Sequence, residues 1–358
     1  MRRVLICLRY GIGDLVMELP ALRHLRREWP NAHLTALGAW PAVELLEGDR
    51  IVDELVRVQD LGFEHWWDPG TEAARQRAED WFGQGEFDLV LDGEHAVAGI
   101  RRMLENAGLP VLNTGNHVEV GEGRAGGWGV QSIWNSALQA WGLARPYYRP
   151  APKLCIPERF RQLAREFLLA RWGPEREVIG IAPVASSPLK RWPMARVSEL
   201  IRQLTVQRDC RVLVFGVAPE DPAGAEHLRH AAPSEHLELV PPLHLQHTAA
   251  LIEHCRALLG NDTGLMHMAA ALGVATVAIF GPTSPGVALP EGATAVESGV
   301  ACRHRPTDRF GPGACMLEER CLVGEQGCIA AVSVAAVVRA LYAALVELPR
   351  ERSGEYGP

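Results

Sequence analysis

Short apolar runs separated by helical stretches set the pattern of this chain. Val4 to Leu8 is a nearly continuous apolar run, as expected of a strand buried on both faces. After Gly11 and Gly13, Leu15, Leu19, Leu22 and Leu25 recur at helical spacing, predicting a helix from Asp14 to Glu28 that Pro30-Asn31 ends. His33 to Leu37 and Phe87 to Leu91 read as further strands, the latter followed by an Ala/Gly-rich helix to Leu104. Proline then gathers at Pro146, Pro150, Pro152 and Pro157, around Tyr147 and Tyr148, and predicts a stiff connection between domains.

The alternation then restarts. Strands are expected at Val178 to Ala182, Val212 to Phe215, Ala257 to Gly260 and Val274 to Phe280, with helices over Met194 to Leu204, Ala249 to Arg256 and Leu265 to Leu272. Val334, Val337, Val338, Leu341 and Leu345 form one stripe of a last helix that Ser333 is placed to cap. Repeated strand–helix alternation implies parallel sheets with covering helices. The expected architecture is two Rossmann-like α/β domains, 1–150 and 151–330, facing a central cleft, with a terminal helix and tail over 331–358.

Composition removes several function classes. Among 358 residues, 47% are hydrophobic and 22% charged, the profile of a globular chain long enough for two cores. A net charge of −7 argues against a nucleic-acid binder. Eight cysteines follow no secretory leader, which favours a reducing cytoplasm and free thiols. Cys302, Cys315, Cys321 and Cys328 are separated by twelve, five and six residues, without the close pairs of a zinc site. Ile329 to Leu348 is apolar, but Arg339 at its middle speaks against a membrane span.

Two regions carry candidate chemistry. The loop Gly11-Ile12-Gly13-Asp14 fails the dinucleotide pattern, because Val16 stands where its last glycine belongs. Its glycines permit close approach, and Asp14 either caps the helix or serves as a base at a helix N-terminus. Gly260-Asn261-Asp262-Thr263-Gly264 lies between a buried strand and an Ala-rich helix, where backbone N–H groups can hold phosphate, although Asp262 could simply cap that helix. A second loop, Pro183 to Pro193, carries Lys190, one of 2 lysines among 36 basic residues. A compact ammonium in an arginine-rich chain hints at a role that arginine fills poorly.

Together these pieces resemble the heptosyltransferases, glycosyltransferase family 9, of the two-domain GT-B fold. The likeness rests on Gly11 to Asp14, Leu19 to Arg23, Ser186 with Lys190-Arg191-Trp192-Pro193, Gly260 through His267, and Phe280-Gly281-Pro282-Thr283, and it covers most of the chain. The resemblance implies that Asp14 is the catalytic base, with Gly11 and Gly13 on the acceptor side, and that Lys190 contacts the donor phosphates. Ser186, Asp262, Thr263, Gly264 and His267 fall on donor-binding positions, Glu220 on the acid that holds the ribose, and Leu243 beside the base. It implies an inverting, metal-independent transfer without cofactor, from a nucleotide sugar such as ADP-heptose to a saccharide acceptor. That acceptor could be lipid-linked, at the inner face of the cytoplasmic membrane.

The acceptor half departs from the family. Pro183-Val184-Ala185 replaces Pro-Gly-Ala, Asp92-Gly93-Glu94-His95 occupies an amide-bearing loop, and Arg124 stands alone between Asn113 and Gly129. Eight of ten tryptophans precede Pro150, including Trp66, Trp67, Trp128 and Trp134, and core packing accounts for most of them. Arg23, Arg26 and Arg27 share one helix face, suited to anionic lipid or to plain solvent. His244, His247 and His254 lack a metal-ligand pattern. Other readings remain: a different nucleotide sugar or a protein acceptor, an oxidoreductase on the same kind of sheet, or a sugar-nucleotide binding protein without catalysis.

Overall fold

The computed structural model describes residues 2–8, 11–64, 70–93, 103–104, 108–113, 134, 137–143, 152–174, 177–217, 222–302, 314–324 and 327–347. Two compact units divide the chain, one of Met1–Arg161 with His244–His247, the other of Gln162–Leu243 with Thr248–Pro358. Each contains one all-parallel sheet.

In the first unit β1 (Arg3–Cys7), β2 (His33–Gly38), β3 (Glu54–Arg57), β4 (Leu89–Asp92) and β5 (Val111–Asn113) lie in the order β3-β2-β1-β4-β5. Val4 to Cys7 are wholly buried, which is why the central strand reads as an unbroken apolar run. Helix α1 (Ile12–Glu28) follows β1 and buries Leu15, Leu19, Leu22 and Leu25, with Glu18 and His24 buried among them. Glu18 accepts a bond from the Trp134 indole N–H at 2.9 Å, and His24 meets the Leu143 carbonyl. Helix α2 (Glu72–Gln84) covers another part of this core with Ala78 and Phe82.

Arg23 and Arg26 of α1 are turned inward, unlike either sequence expectation, whereas Arg27 is exposed. Arg23 reaches Asp49 at 2.8 Å and the Lys153 carbonyl at 2.6 Å. Arg26 reaches the Ile51 and Ala32 carbonyls at 2.8 and 2.9 Å and Asp53 at 2.5 Å. Burial works against the Asp53 charge, but the Leu34 amide and Arg26 outweigh it and hold this carboxyl below its ordinary range.

The second unit is built on β6 (Val178–Ala182), β7 (Arg211–Val214), β8 (Leu237–Leu239), β9 (Ala257–Asn261), β10 (Ala275–Ile279) and β11 (Thr294–Val296), ordered β11-β10-β9-β6-β7-β8. Between them run α3 (Glu158–Trp172), which enters the unit ahead of β6, then α4 (Met194–Arg208), α5 (Pro222–Arg229), α6 (Leu245–Glu253) and α7 (Gly264–Ala271). The terminal helix α8 (Val334–Glu347) packs on β10 and β11, and the Ser333 hydroxyl caps it by accepting from the Ala336 amide at 3.2 Å. Ile181, Ile201, Val212, Leu259, Val277 and Val337 belong to its core. No described helix is long and apolar enough to cross a membrane.

Several boundaries move from those the sequence suggests. The strand expected at Phe87 starts at Leu89, and the helix expected from Ala249 begins at Leu245. The helix before Leu104 and the residues from Pro146 to Pro150 lie outside the described residues.

Candidate functional site

In a parallel sheet the loops leaving the carboxyl ends of the strands share one edge, and ligands gather there. In the second unit β6 and β9 are neighbours, with Ala182 paired to Gly260. A Cβ at Gly260 would stand 2.9 Å from the Ala182 carbonyl oxygen, so only glycine lets these strand ends lie so close. Asn261 ties the loop after β6 at both ends. Its amide nitrogen donates to the Pro183 carbonyl at 2.6 Å, and its oxygen accepts from the Trp192 amide at 3.1 Å. The Trp192 indole N–H in turn donates to the Val332 carbonyl at 2.9 Å. The sequence pattern does not give Asn261 this role; an amide, donor and acceptor at once, placed at a strand end is the signal it carries.

Between those fixed ends lies the turn that carries Lys190. The Ser187 hydroxyl accepts from the Leu189 amide at 3.3 Å and opens a single 3-10 turn, Pro188–Lys190. Arg191 points back to the Ala185 carbonyl at 2.9 Å. The Lys190 ammonium lies 2.8 Å from the Asp262 carboxylate, which is 8% exposed against 19% for the lysine side chain. The acid therefore orients the cation while leaving it in reach of solvent. The expected alternative for Asp262, a helix cap, does not hold: Thr263 is the N-cap residue of α7, and no side chain caps that helix. Backbone N–H groups at Gly264 and beyond thus begin a helix beside a fixed ammonium, an arrangement suited to an anionic oxygen.

His267 lies in the same helix, 6% exposed. Burial, with Lys190 adding to it and Asp262 opposing, pushes its pKa down to about 4. The ring is neutral near pH 7 and offers one donor and one acceptor. Ser186 is exposed at the mouth of the loop. Gly216, at the end of β7, has φ +76°, and a Cβ there would meet Val184 at 2.7 Å. Leu243 is half-buried after β8, on the same edge but two strands beyond β6. Lys190, Asp262, Thr263, Gly264 and His267 are thus brought together, with Ser186 exposed on the loop that carries Lys190; Glu220 and Arg124 lie outside the described residues, as do Glu94, His95, Trp66, Trp67 and Trp128.

In the first unit Asp14 occupies the opening turn of α1, and Gly11 is the N-cap residue without a capping side chain. A Cβ at Gly11 would come within 2.4 Å of an Asp14 carboxylate oxygen. Gly11 therefore supplies the room in which that carboxylate rests. Gly13 lies in the same turn. Beside it, the Gly93 amide donates to the Cys7 carbonyl at 2.9 Å, holding the end of β4 against β1.

No disulfide joins the eight cysteines, and burial pushes the Cys315 thiol up. Among the described residues, no three His, Cys, Asp or Glu side chains are grouped to hold a metal ion.

A model of glycosyltransferase family 9 (heptosyltransferase) matches residues 126–309. Lipooligosaccharide heptosyltransferase 2 of Haemophilus influenzae is 40% identical over 116 residues, 31% of this chain and 33% of that protein. Lipopolysaccharide heptosyltransferase 1 of Pseudomonas aeruginosa is 27% identical over 351 residues, 86% of this chain and 89% of that protein. The alignments with the Haemophilus enzyme and with the heptosyltransferases 2 of Salmonella typhimurium and Escherichia coli span only 33 to 39% of those proteins' length. Among solved structures, ADP-heptose lipopolysaccharide heptosyltransferase II of E. coli superposes with a TM-score of 0.70 at 22% identity, covering 97% of this chain and 99% of that one. A family 9 glycosyltransferase of Veillonella parvula gives 0.74 at 19%, covering 97% and 98%. At these identities the structural likeness speaks for the fold.

Proposed function

The chain belongs to glycosyltransferase family 9, whose model matches just over half of it, and on that premise we propose that it is an inverting heptosyltransferase. Its donor is ADP-heptose and its acceptor a saccharide hydroxyl of the lipopolysaccharide core. The family's name and the names of its relatives support the sugar and the acceptor. The observation that carries the donor reading is the Lys190–Asp262 pair beside the uncapped start of α7.

In this scheme the Asp14 carboxylate takes the proton of the acceptor hydroxyl as its oxygen attacks the anomeric carbon. The bond from that carbon to the diphosphate oxygen breaks on the opposite face, which inverts the centre. Negative charge gathers on the departing ADP, where the Lys190 ammonium and the α7 amides stabilise it. Neutral His267 contributes a single hydrogen bond without adding charge. The first half, 1–150, serves the acceptor and the second, 151–330, the donor. A lipid-borne acceptor would bring the enzyme to the inner face of the cytoplasmic membrane.

Thermal unfolding with ADP, UDP, GDP and NAD tests the donor. ADP at ~100 times its dissociation constant raises stability by ~2.7 kcal/mol. Lys190→Ala removes a charge-assisted contact and weakens ADP about ten- to a hundredfold. Asp14→Ala keeps the ADP shift and loses turnover, which separates a transferase from a mere sugar-nucleotide binder. A response to NAD alone would overturn the reading.

A further inference from the structure

Seven tryptophans fall among the described residues, and among these only Trp40 is mostly exposed, at 55%. Trp134 and Trp192 are buried, and Trp29 lies under the Arg2 guanidinium, 4.9 Å from its ring centre. No aromatic or cationic group among the described residues covers the ring of Trp40, yet the residue is firmly held. Its indole N–H donates to Glu44 Oε1 at 2.7 Å, and its backbone amide donates to the Gln59 side-chain oxygen at 3.1 Å. Glu44 is itself 5% exposed and fixed from its other oxygen, which accepts from the Leu245 amide at 2.5 Å. The polar edge of the indole is thus satisfied, and what remains on offer is an apolar ring surface in one orientation.

Its place in the fold gives that surface a purpose. Trp40 follows β2, the strand next to β1, and Leu8 still pairs with Leu37 where the two strands end. The loops bearing Trp40 and the Gly11–Asp14 turn therefore leave neighbouring strands at the same level and on the same edge. Gly38 makes this possible: a Cβ there would stand 2.4 Å from Val43, so glycine lets the 3-10 turn Ala42–Leu46 fold back and bring Glu44 to Trp40.

We infer that Trp40 is a stacking platform for a pyranose ring of the acceptor, its indole face lying against the apolar C–H face of the sugar. This deepens the acceptor side of the proposed function and rests on that reading. A lone ring suits one sugar; a membrane would need several. Trp40 is the one large exposed hydrophobic side chain described in the first unit, and the carboxylate that holds it, Glu44, brings no positive charge to draw an anionic lipid surface.

The test labels the full-length protein with 5-fluorotryptophan and assigns the Trp40 resonance by its loss in W40F. The probe is de-acylated core saccharide from a heptose-deficient lipopolysaccharide, added without donor. The platform requires this resonance to shift with saccharide. It also requires W40A to raise the acceptor KM about tenfold while the ADP-heptose KM holds, with W40F between the two. A resonance that ignores saccharide, or moves only with phosphatidylglycerol vesicles, overturns it, as does an unchanged acceptor KM in W40A. Because the binding arm needs no transfer, a failed heptose assay with a shifting resonance would count against the donor reading and leave the platform standing.

Discussion

Gly11 and Asp14 are paired through empty space. With 2.4 Å between an imagined Cβ and the carboxylate oxygen, Gly11→Ala must displace that carboxylate. The obstacle is the far end of a side chain, so the helix itself can form. A misplacement of about 1 Å at a reacting group can cost about a hundredfold in rate; Gly11→Ala should show a kcat loss of that order with an unchanged melting temperature. A variant that melts early instead would mean the glycine serves the backbone. His267 yields a prediction about pH. Its folded-state pKa lies below the ordinary imidazole value, so the folded protein binds this proton less readily than the unfolded chain. The stability contributed by the neutral ring is complete above about pH 6.5 and lost as pH falls toward 4. Melting temperature should therefore decline less steeply over that window in His267→Gln than in the native protein. Parallel curves would show that His267 does not titrate this way.

At the scale of elements, the ends of helices carry the information that periodicity omits. Ser333→Ala removes the one hydroxyl that receives the Ala336 amide and should cost about 1 kcal/mol, read from urea unfolding. The arginines of α1 make a stronger case. Arg26 joins two backbone carbonyls and Asp53, so Arg26→Ala leaves partly buried acceptors unmet and should lose about 2 kcal/mol or more. Sequence periodicity placed Arg23 and Arg26 on one face but could not reveal that residues 49–53 return to cover it. For the same reason periodicity starts α6 at Ala249 and the fold starts it at Leu245. Glu44, far away along the chain, receives the Leu245 amide, and the His244 ring receives that of Gln246 at 3.2 Å. Such partners leave no local mark.

At the scale of the molecule, the two sheets were legible because strands buried on both faces are written as apolar runs. Val4 to Leu8 and Val178 to Ala182 needed no knowledge of their neighbours. The Lys190 and Gly260–His267 loops were legible as residue types at fixed separations, whereas Trp40 was not: exposure and a held orientation are properties of a folded surface. If the donor belongs to the second unit, ADP should slow amide exchange in 183–193 and 260–267 and leave β1 and β2 unchanged. Protection arising instead at Ile12 to Val16 would place the nucleotide on the other sheet.

The four residues His244–His247 belong with the first unit although the chain on both sides belongs to the second. Gln246 is fully buried and donates to the Leu45 and Glu47 carbonyls, and His244 stacks on Phe160 at 4.7 Å. No single scission of the polypeptide yields both units whole. A gene fragment encoding 162–358 would carry a stranded piece of the other unit, its amide cut off from the carbonyls that receive it. Exchanging either half would thus demand matching changes at Glu44, Glu47 and this tetrapeptide. Neither half is a self-contained cassette of contiguous chain.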